Sequence, residues 1–256
     1  MIPATDTLLA IPYGLASWPS DSRAARGIAL DTTEIDGFGP VAVIDPKARQ
    51  PLRLNTLRYV FAEAPDPLRL ATLGDRLAFL RGHLQSLCGT WDKLPRLFLD
   101  AYFRFVAASL EGSPPALDAA IARHGGIFER GDWTYSALAP LPRAQLHAPE
   151  EASGQEAWVG VDIAFWTGTE IAAVDLIGPG TRQQARRTAL ERLRRQGVVL
   201  IEISGTELER DGERALTALL PREFREFWRS QPIPASPFST GSLDGIPPAQ
   251  SSSART

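Results

Sequence analysis

The stretch from Trp158 to Ile203 constrains the fold of this chain more than any other. Trp158–Trp166 alternates, with Val159, Val161, Ile163 and Phe165 on one side and Trp158, Gly160, Asp162 and Ala164 on the other. That is the period of a strand. Thr167-Gly168-Thr169 reads as a turn and Ile171–Ile177 as a second strand, ended by Gly178-Pro179-Gly180. Thr181 and Gln184 have the spacing of a capping box, so a helix starts there. It runs to Gln196 and stops at Gly197, a residue suited to a left-handed cap. Val198–Ile203 is a third strong strand. A helix over 209–220 follows, and Pro221 restarts another through Trp228.

The rest of the chain divides around this segment. Residues 1–66 form a β-rich region, with strands expected at Leu8–Tyr13, Pro40–Ile44 and Leu54–Phe61 between Pro, Gly and Asp clusters. Residues 67–114 are helical. Leu70, Leu73, Leu77, Leu80 and Leu84 recur at helical steps, and Pro95–Leu110 carries Leu97, Phe98, Tyr102, Phe105 and Val106 on one stripe. A core spans 115–229. It opens with a short helix at Pro115–Arg123, then a weak strand at Trp133–Leu138 and a loop at Ala139–Glu151. The aromatic residues of 98–105 read as core, as does the helical leucine stripe. Residues 230–256 hold 7 Ser, 5 Pro and 2 Gly and read as a disordered tail.

Composition narrows the chemistry. The 256 residues carry 27 Lys and Arg against 30 Asp and Glu, a net charge of −3, which excludes a bulk polycation coating nucleic acid. One cysteine excludes an internal disulfide framework, and three unpaired histidines argue against structural zinc. No apolar run approaches the ~20 residues that span a bilayer, and no secretory leader is visible, so a cytoplasmic location without membrane contact is expected. The basic residues are almost all arginine: lysine occurs only at 47 and 93.

Asp162 and Asp175 sit mid-strand in the two arms of the hairpin. A four-residue loop, Thr167–Glu170, would set them directly opposite each other; a two-residue loop would keep them on one face; a three-residue loop would separate them. Opposed like charges are destabilising on a sheet unless something offsets them. Either the aspartates point to solvent, or a divalent cation such as Mg²⁺ joins them. The helix that follows carries Arg182, Arg186, Arg187, Arg192, Arg194 and Arg195 against Glu191 alone. On a helical wheel Ala185, Ala189, Leu190 and Leu193 form the buried stripe. Arg187, Arg194 and Arg195 lie on the open side, and Arg182 and Arg186 fall near the stripe at the end closest to the acids. Arginine forks suit phosphate, though such a face can also simply be solvated. Glu202, in an apolar strand, shares parity with Val198 and Leu200 and suggests a buried partner.

In order and motif, these elements resemble the PD-(D/E)XK nuclease superfamily, in its branch related to very-short-patch repair endonucleases. The residues that carry the resemblance are Ala172 to Gly178, Arg186 to Leu190 and Gln196 to Ile203. It implies an α/β restriction-endonuclease-like core, a mixed sheet flanked by helices. It implies Asp162 and Asp175 as metal ligands for Mg²⁺ or Mn²⁺, with Gln184 (or Gln183) filling in for the lysine whose place Ile177 takes. Arg186 would serve as a cationic substitute. Asp118 and Glu129 are the acidic residues of the preceding region. The implied substrate is DNA, contacted by Arg182, Arg186, Arg187 and Arg194, with a partner protein meeting the N-terminal region. Two functions are then open: metal-dependent hydrolysis of DNA phosphodiester bonds in bacterial defence, repair or mobile-element processing, or a catalytically inactive nuclease-fold module that binds nucleic acid or scaffolds a complex.

Overall fold

The computed structural model describes residues 9–11, 32–35, 39–44, 51–54, 73–86, 88, 93–112, 115–123, 125, 130–147, 158–178 and 184–230. Strands β1 (Leu9–Ile11), β2 (Thr32–Ile35) and β3 (Gly39–Ile44) come first, followed by helices α1 (Leu73–Ser86), α2 (Lys93–Glu111) and α3 (Pro115–Arg123). Then come β4 (Leu141–Pro142), β5 (Gln145–His147), β6 (Trp158–Gly160), β7 (Ile163–Trp166) and β8 (Ile171–Ile177). Helix α4 (Gln184–Arg195) leads to β9 (Val199–Ser204), and α5 (Gly205–Leu219) and α6 (Arg222–Arg225) close the described chain with a 3-10 turn at Phe227–Ser230. The expected strand at 54–61, apart from Leu54, and the tail after 230 lie outside the described residues.

The chain is a mixed α/β protein. One sheet has the order β4-β7-β8-β9 and the other β2-β3-β1-β5-β6. In the first, β7 and β8 are antiparallel, and β8 and β9 are parallel across α4. Strand β8 is central, and its first five residues, through Asp175, are buried, which fits a strand covered on both faces. One face presents Phe165. It packs on Phe98 and Tyr102 of α2 and on Phe224 of α6. Those α2 residues follow the apolar stripe expected from the sequence. The opposite face lies under α4, whose Leu190 and Leu193 are buried. A single cluster of buried residues runs from Leu52 to Trp228 and includes α2. Residues on both sides of position 115 contribute to this cluster.

Three local expectations change. Trp133–Leu138 is not a strand: Arg130–Ser136 coils as a 3-10 helix, because Trp133, Thr134, Tyr135 and Ser136 are buried in succession and no alternation remains. The expected loop at 139–151 contains β4 and β5, held by pairing with β7 on one side and with β1 and β6 on the other. Trp158–Trp166 is two strands, not one. At Val161-Asp162 it leaves the five-stranded sheet for the four-stranded one. Arg143 N donates to Asp162 O at 2.8 Å and Val161 N to Ala144 O at 2.9 Å, so both chains turn the corner together. Arg143 takes a left-handed backbone there, φ 55°, a conformation that costs a side-chain-bearing residue about 1 kcal/mol.

Helix α5 begins at Gly205, earlier than the 209–220 span expected. A Cβ on Gly205 would lie 2.8 Å from Leu94 Cδ2, so a larger residue there would require the Leu94 side chain to shift. The helix breaks at Asp211, whose Oδ1 accepts the Arg214 amide at 3.2 Å and restarts it in the manner of an N-cap.

Under the sheet, the Tyr102 hydroxyl donates to Leu138 O at 2.7 Å. Burial pushes its pKa well above the ordinary phenol range, against a partial pull from the Arg53 charge. Tyr102 therefore ionises more readily in the unfolded chain. Its contribution to stability is full below about pH 10 and falls as pH rises beyond that. Urea midpoints at about pH 8 and about pH 10.5 should show wild type losing more stability than Tyr102→Phe. The variant should itself be weaker by about 1 kcal/mol at the lower pH for the lost hydrogen bond. Equal alkaline losses would remove Tyr102 from the account.

Candidate functional site

The hairpin loop is the four-residue one: Trp166 pairs with Ile171, and Thr167 N donates to Glu170 O. Thr167 Oγ1 accepts the amides of Thr169 and Glu170 and fixes the turn. The ladder ends at Ile163 and Val174. One step further, Asp162 and Asp175 face each other on the α4 side of the sheet. Asp175 is buried, with 3% of its side chain exposed, and Asp162 is 29% exposed.

The corner at Asp162 explains its position. Val161 has given its amide to Ala144, and β6 belongs to the other sheet, while the β7–β8 pairing ends at Ile163 and Val174. The Leu176 amide, which next needs an acceptor, donates at 2.8 Å to Asp162 Oδ2. A side-chain carboxylate thus continues the hydrogen bonding where the neighbouring strand leaves.

Arg186 lies between the two acids. Its Nε and Nη2 donate to Asp175 Oδ1 at 3.0 and 2.7 Å, and the same Nη2 reaches Asp162 Oδ2 at 3.3 Å. The first turn of α4 places it there, on the side of the helix that also buries Leu190 and Leu193. Charge-assisted bonds of this kind are roughly twice as strong as neutral ones, and they supply the offset that two facing carboxylates need.

The other residues named from sequence distribute as follows. Arg187 is exposed, as are Arg194 and Arg195, while Arg192 is partly covered. Arg194 forms an ion pair with Glu191 one turn back. Gln184 begins α4, but its side chain lies outside the described residues, as do Arg182, Gln183 and Glu129 entirely. Asp118 is remote in role: it pairs with Arg130 at 2.5 Å on an exposed surface. Glu202 is exposed rather than buried, and it stands in parallel register with Asp175 on the next strand. Lys93 pairs with Glu209 of α5 at 2.5 Å, with 72% of its side chain exposed, and is occupied there.

Fitness for a divalent cation can be judged from the oxygens. Asp175 Oδ1 and Asp162 Oδ2, the two that converge, are the two that Arg186 holds. Among the described residues, no group of three or more His, Cys, Asp or Glu is placed to hold a metal ion. As arranged, the pair accommodates a guanidinium, and a metal would fit only with Arg186 withdrawn.

A second concavity was not legible in the sequence. A cleft of about 630 Å³ opens at the loop end of the hairpin, bounded by Arg53, Thr169, Glu170, Arg222 and Arg229. Arg222 and Arg229 both pair with Glu226. Arg53 Nη1 donates to the carbonyls of Ser136 and, at 3.4 Å, Phe227. Burial lowers its pKa from the ordinary arginine value. The one signal in the sequence was an arginine set between Leu52 and Leu54. No helix among the described residues is long and apolar enough to cross a membrane.

No family model, curated protein or solved structure matches the chain.

Proposed function

We propose that this chain is a cytoplasmic nucleic-acid-binding module on a nuclease-like α/β core, and that it does not hydrolyse its ligand. One observation carries this: α4 divides its arginines by face. Arg186 turns inward and holds both acids. Arg187, Arg194 and Arg195 turn outward. The inward arginine engages the oxygens that hydrolysis would need for a metal. The outward set offers phosphate forks on one helical face. DNA is the expected ligand, and contacts of this type position a strand without reading its sequence.

A second reading, an Mg²⁺- or Mn²⁺-dependent endonuclease, is favoured by a different observation. Asp162 and Asp175 converge on one face, with Glu202 in register beside them. In that reading Asp162 and Asp175 hold the metal, which supplies an activated water and neutralises the phosphate. Gln184 assists from the helix, and Arg186 must first leave the acids.

Incubation of supercoiled plasmid and single-stranded DNA with Mg²⁺ or Mn²⁺ separates the two. We expect wild type to cut no faster than Asp175→Ala. Cutting by wild type that Asp175→Ala abolishes would establish the endonuclease instead.

A further inference from the structure

We infer that the cleft at the loop end of the hairpin is a binding site for a short peptide with free termini and an apolar side chain. The site is independent of the proposed nucleic-acid contact and uses neither the Asp162–Asp175 pair nor the outer face of α4. Phe224, which lines the cleft, packs on Phe165, on the sheet face opposite the acids.

The volume, about 630 Å³, is that of a small-molecule pocket. If as deep as it is wide, the cleft measures roughly 9 Å across, the length of two or three extended residues. Leu138, Phe224 and Phe227, all buried, give it an apolar lining against which a ligand side chain can leave water.

Three arginines and three glutamates also line it, balanced in number but not in place. Arg222 and Arg229 share one acid: Arg222 Nη2 meets Glu226 Oε1 at 2.9 Å, and Arg229 Nε meets Oε2 at 3.1 Å. Both oxygens of Glu226 are taken, and the two guanidiniums keep one positive charge in excess. Arg53 adds another positive group in the wall. It is 7% exposed, and its bonds to the carbonyls of Ser136 and Phe227 fix its position. Glu223, on the same short helix as Arg222, is exposed, where its charge is screened.

Negative charge comes from the hairpin. The backbone of Glu170 is pinned in the turn: Thr167 N donates to Glu170 O, and Glu170 N donates to Thr167 Oγ1, both at 3.1 Å. Its carboxylate is half-buried and forms no ion pair among the described residues. A simple anion in this cleft would leave Glu170 unanswered, and a simple cation would leave the arginines so. A zwitterion answers both. A short peptide carries its two charges at opposite ends, separated by about 3.3–3.6 Å per residue. Its terminal carboxylate matches the arginine fork, its ammonium matches Glu170, and an apolar side chain covers the phenylalanines.

Isothermal titration calorimetry on the full chain tests this with the tripeptide Ala-Phe-Ala and its N-acetyl and C-amide forms. The free peptide should bind with a Kd below about 1 mM, and either cap should weaken it about fivefold to tenfold. Glu170→Gln should weaken the free peptide about fivefold and leave the N-acetyl form, which has no ammonium, unchanged. Arg229→Gln should weaken the free peptide to a similar degree and leave the C-amide form unchanged.

No saturable heat from the free peptide at up to about 5 mM overturns the inference. So does binding of either capped form as tightly as the free one. A loss in Glu170→Gln that the N-acetyl form shares equally overturns it too, since Glu170 then does not meet the ammonium. If Arg229→Gln does not fold, Arg222→Gln, at a side chain 70% exposed, takes its place under the same criteria.

Discussion

Alanine at both Arg187 and Arg194 is expected to weaken binding to duplex DNA by about tenfold at physiological ionic strength. It should also lower the slope of log affinity against log salt by about 2. The two residues should not contribute equally. Arg187 is exposed in the first turns of α4. Arg194 is held by Glu191 and must give up that partner to meet a phosphate, although an exposed pair of this kind is worth less than about 1 kcal/mol. Arg187→Ala alone should therefore account for more than half of the loss. Fluorescence anisotropy across a salt series reads both quantities. An unchanged slope in the double variant would mean that this face is merely solvated, and the proposed module would lose its ligand.

Phe165→Ala should destabilise the fold by about 3–5 kcal/mol. Phe165 is fully buried at the centre of the sheet face opposite the acids. Its ring meets Phe224 edge-on at 4.8 Å and lies 5.2 Å from Tyr102 and 6.2 Å from Phe98. These neighbours come from α2 and α6, on either side of the sheet segment in sequence. Truncation would leave a void bounded by rigid rings that cannot collapse into it. Guanidinium unfolding should show the loss as a lower midpoint, with melting lowered by about 10 °C. A cost below about 1 kcal/mol would mean that α2 and α6 do not share a core through this residue.

How much of this was legible beforehand depended on whether neighbours in sequence or distant partners decided it. Hairpin register was legible only conditionally: strand parity sets Asp162 against Asp175 for a four-residue loop, and the structure, not the sequence, selects that loop from the three lengths left open. The placing of Arg186 near the acids was legible from the helical wheel, since α4 must lay Leu190 and Leu193 on the sheet. Parity, however, says only which face a side chain takes. It could not tell that Arg186 would bond both carboxylates, nor that Glu202 would be exposed. The corner at Val161-Asp162 was hidden for a different reason. It is made by the amides and carbonyls of Arg143 and Ala144, and β5 is held in turn by β1, more than a hundred residues earlier. Strands of two or three residues, such as β4 and β5, are too short to show any period at all.

The Leu176 amide bond gives the two aspartates different experimental standing. Asp175 meets Arg186 with its side chain and the sheet with its backbone, so a change there perturbs the charge cluster and leaves the strand pairing intact. Asp162 does both jobs with one carboxylate. Its removal unfastens the seam where two sheets part company, and any lost activity would be confounded with a lost joint. Asp162→Asn, which keeps an acceptor for Leu176, is the substitution that can tell a chemist from a carpenter at this position.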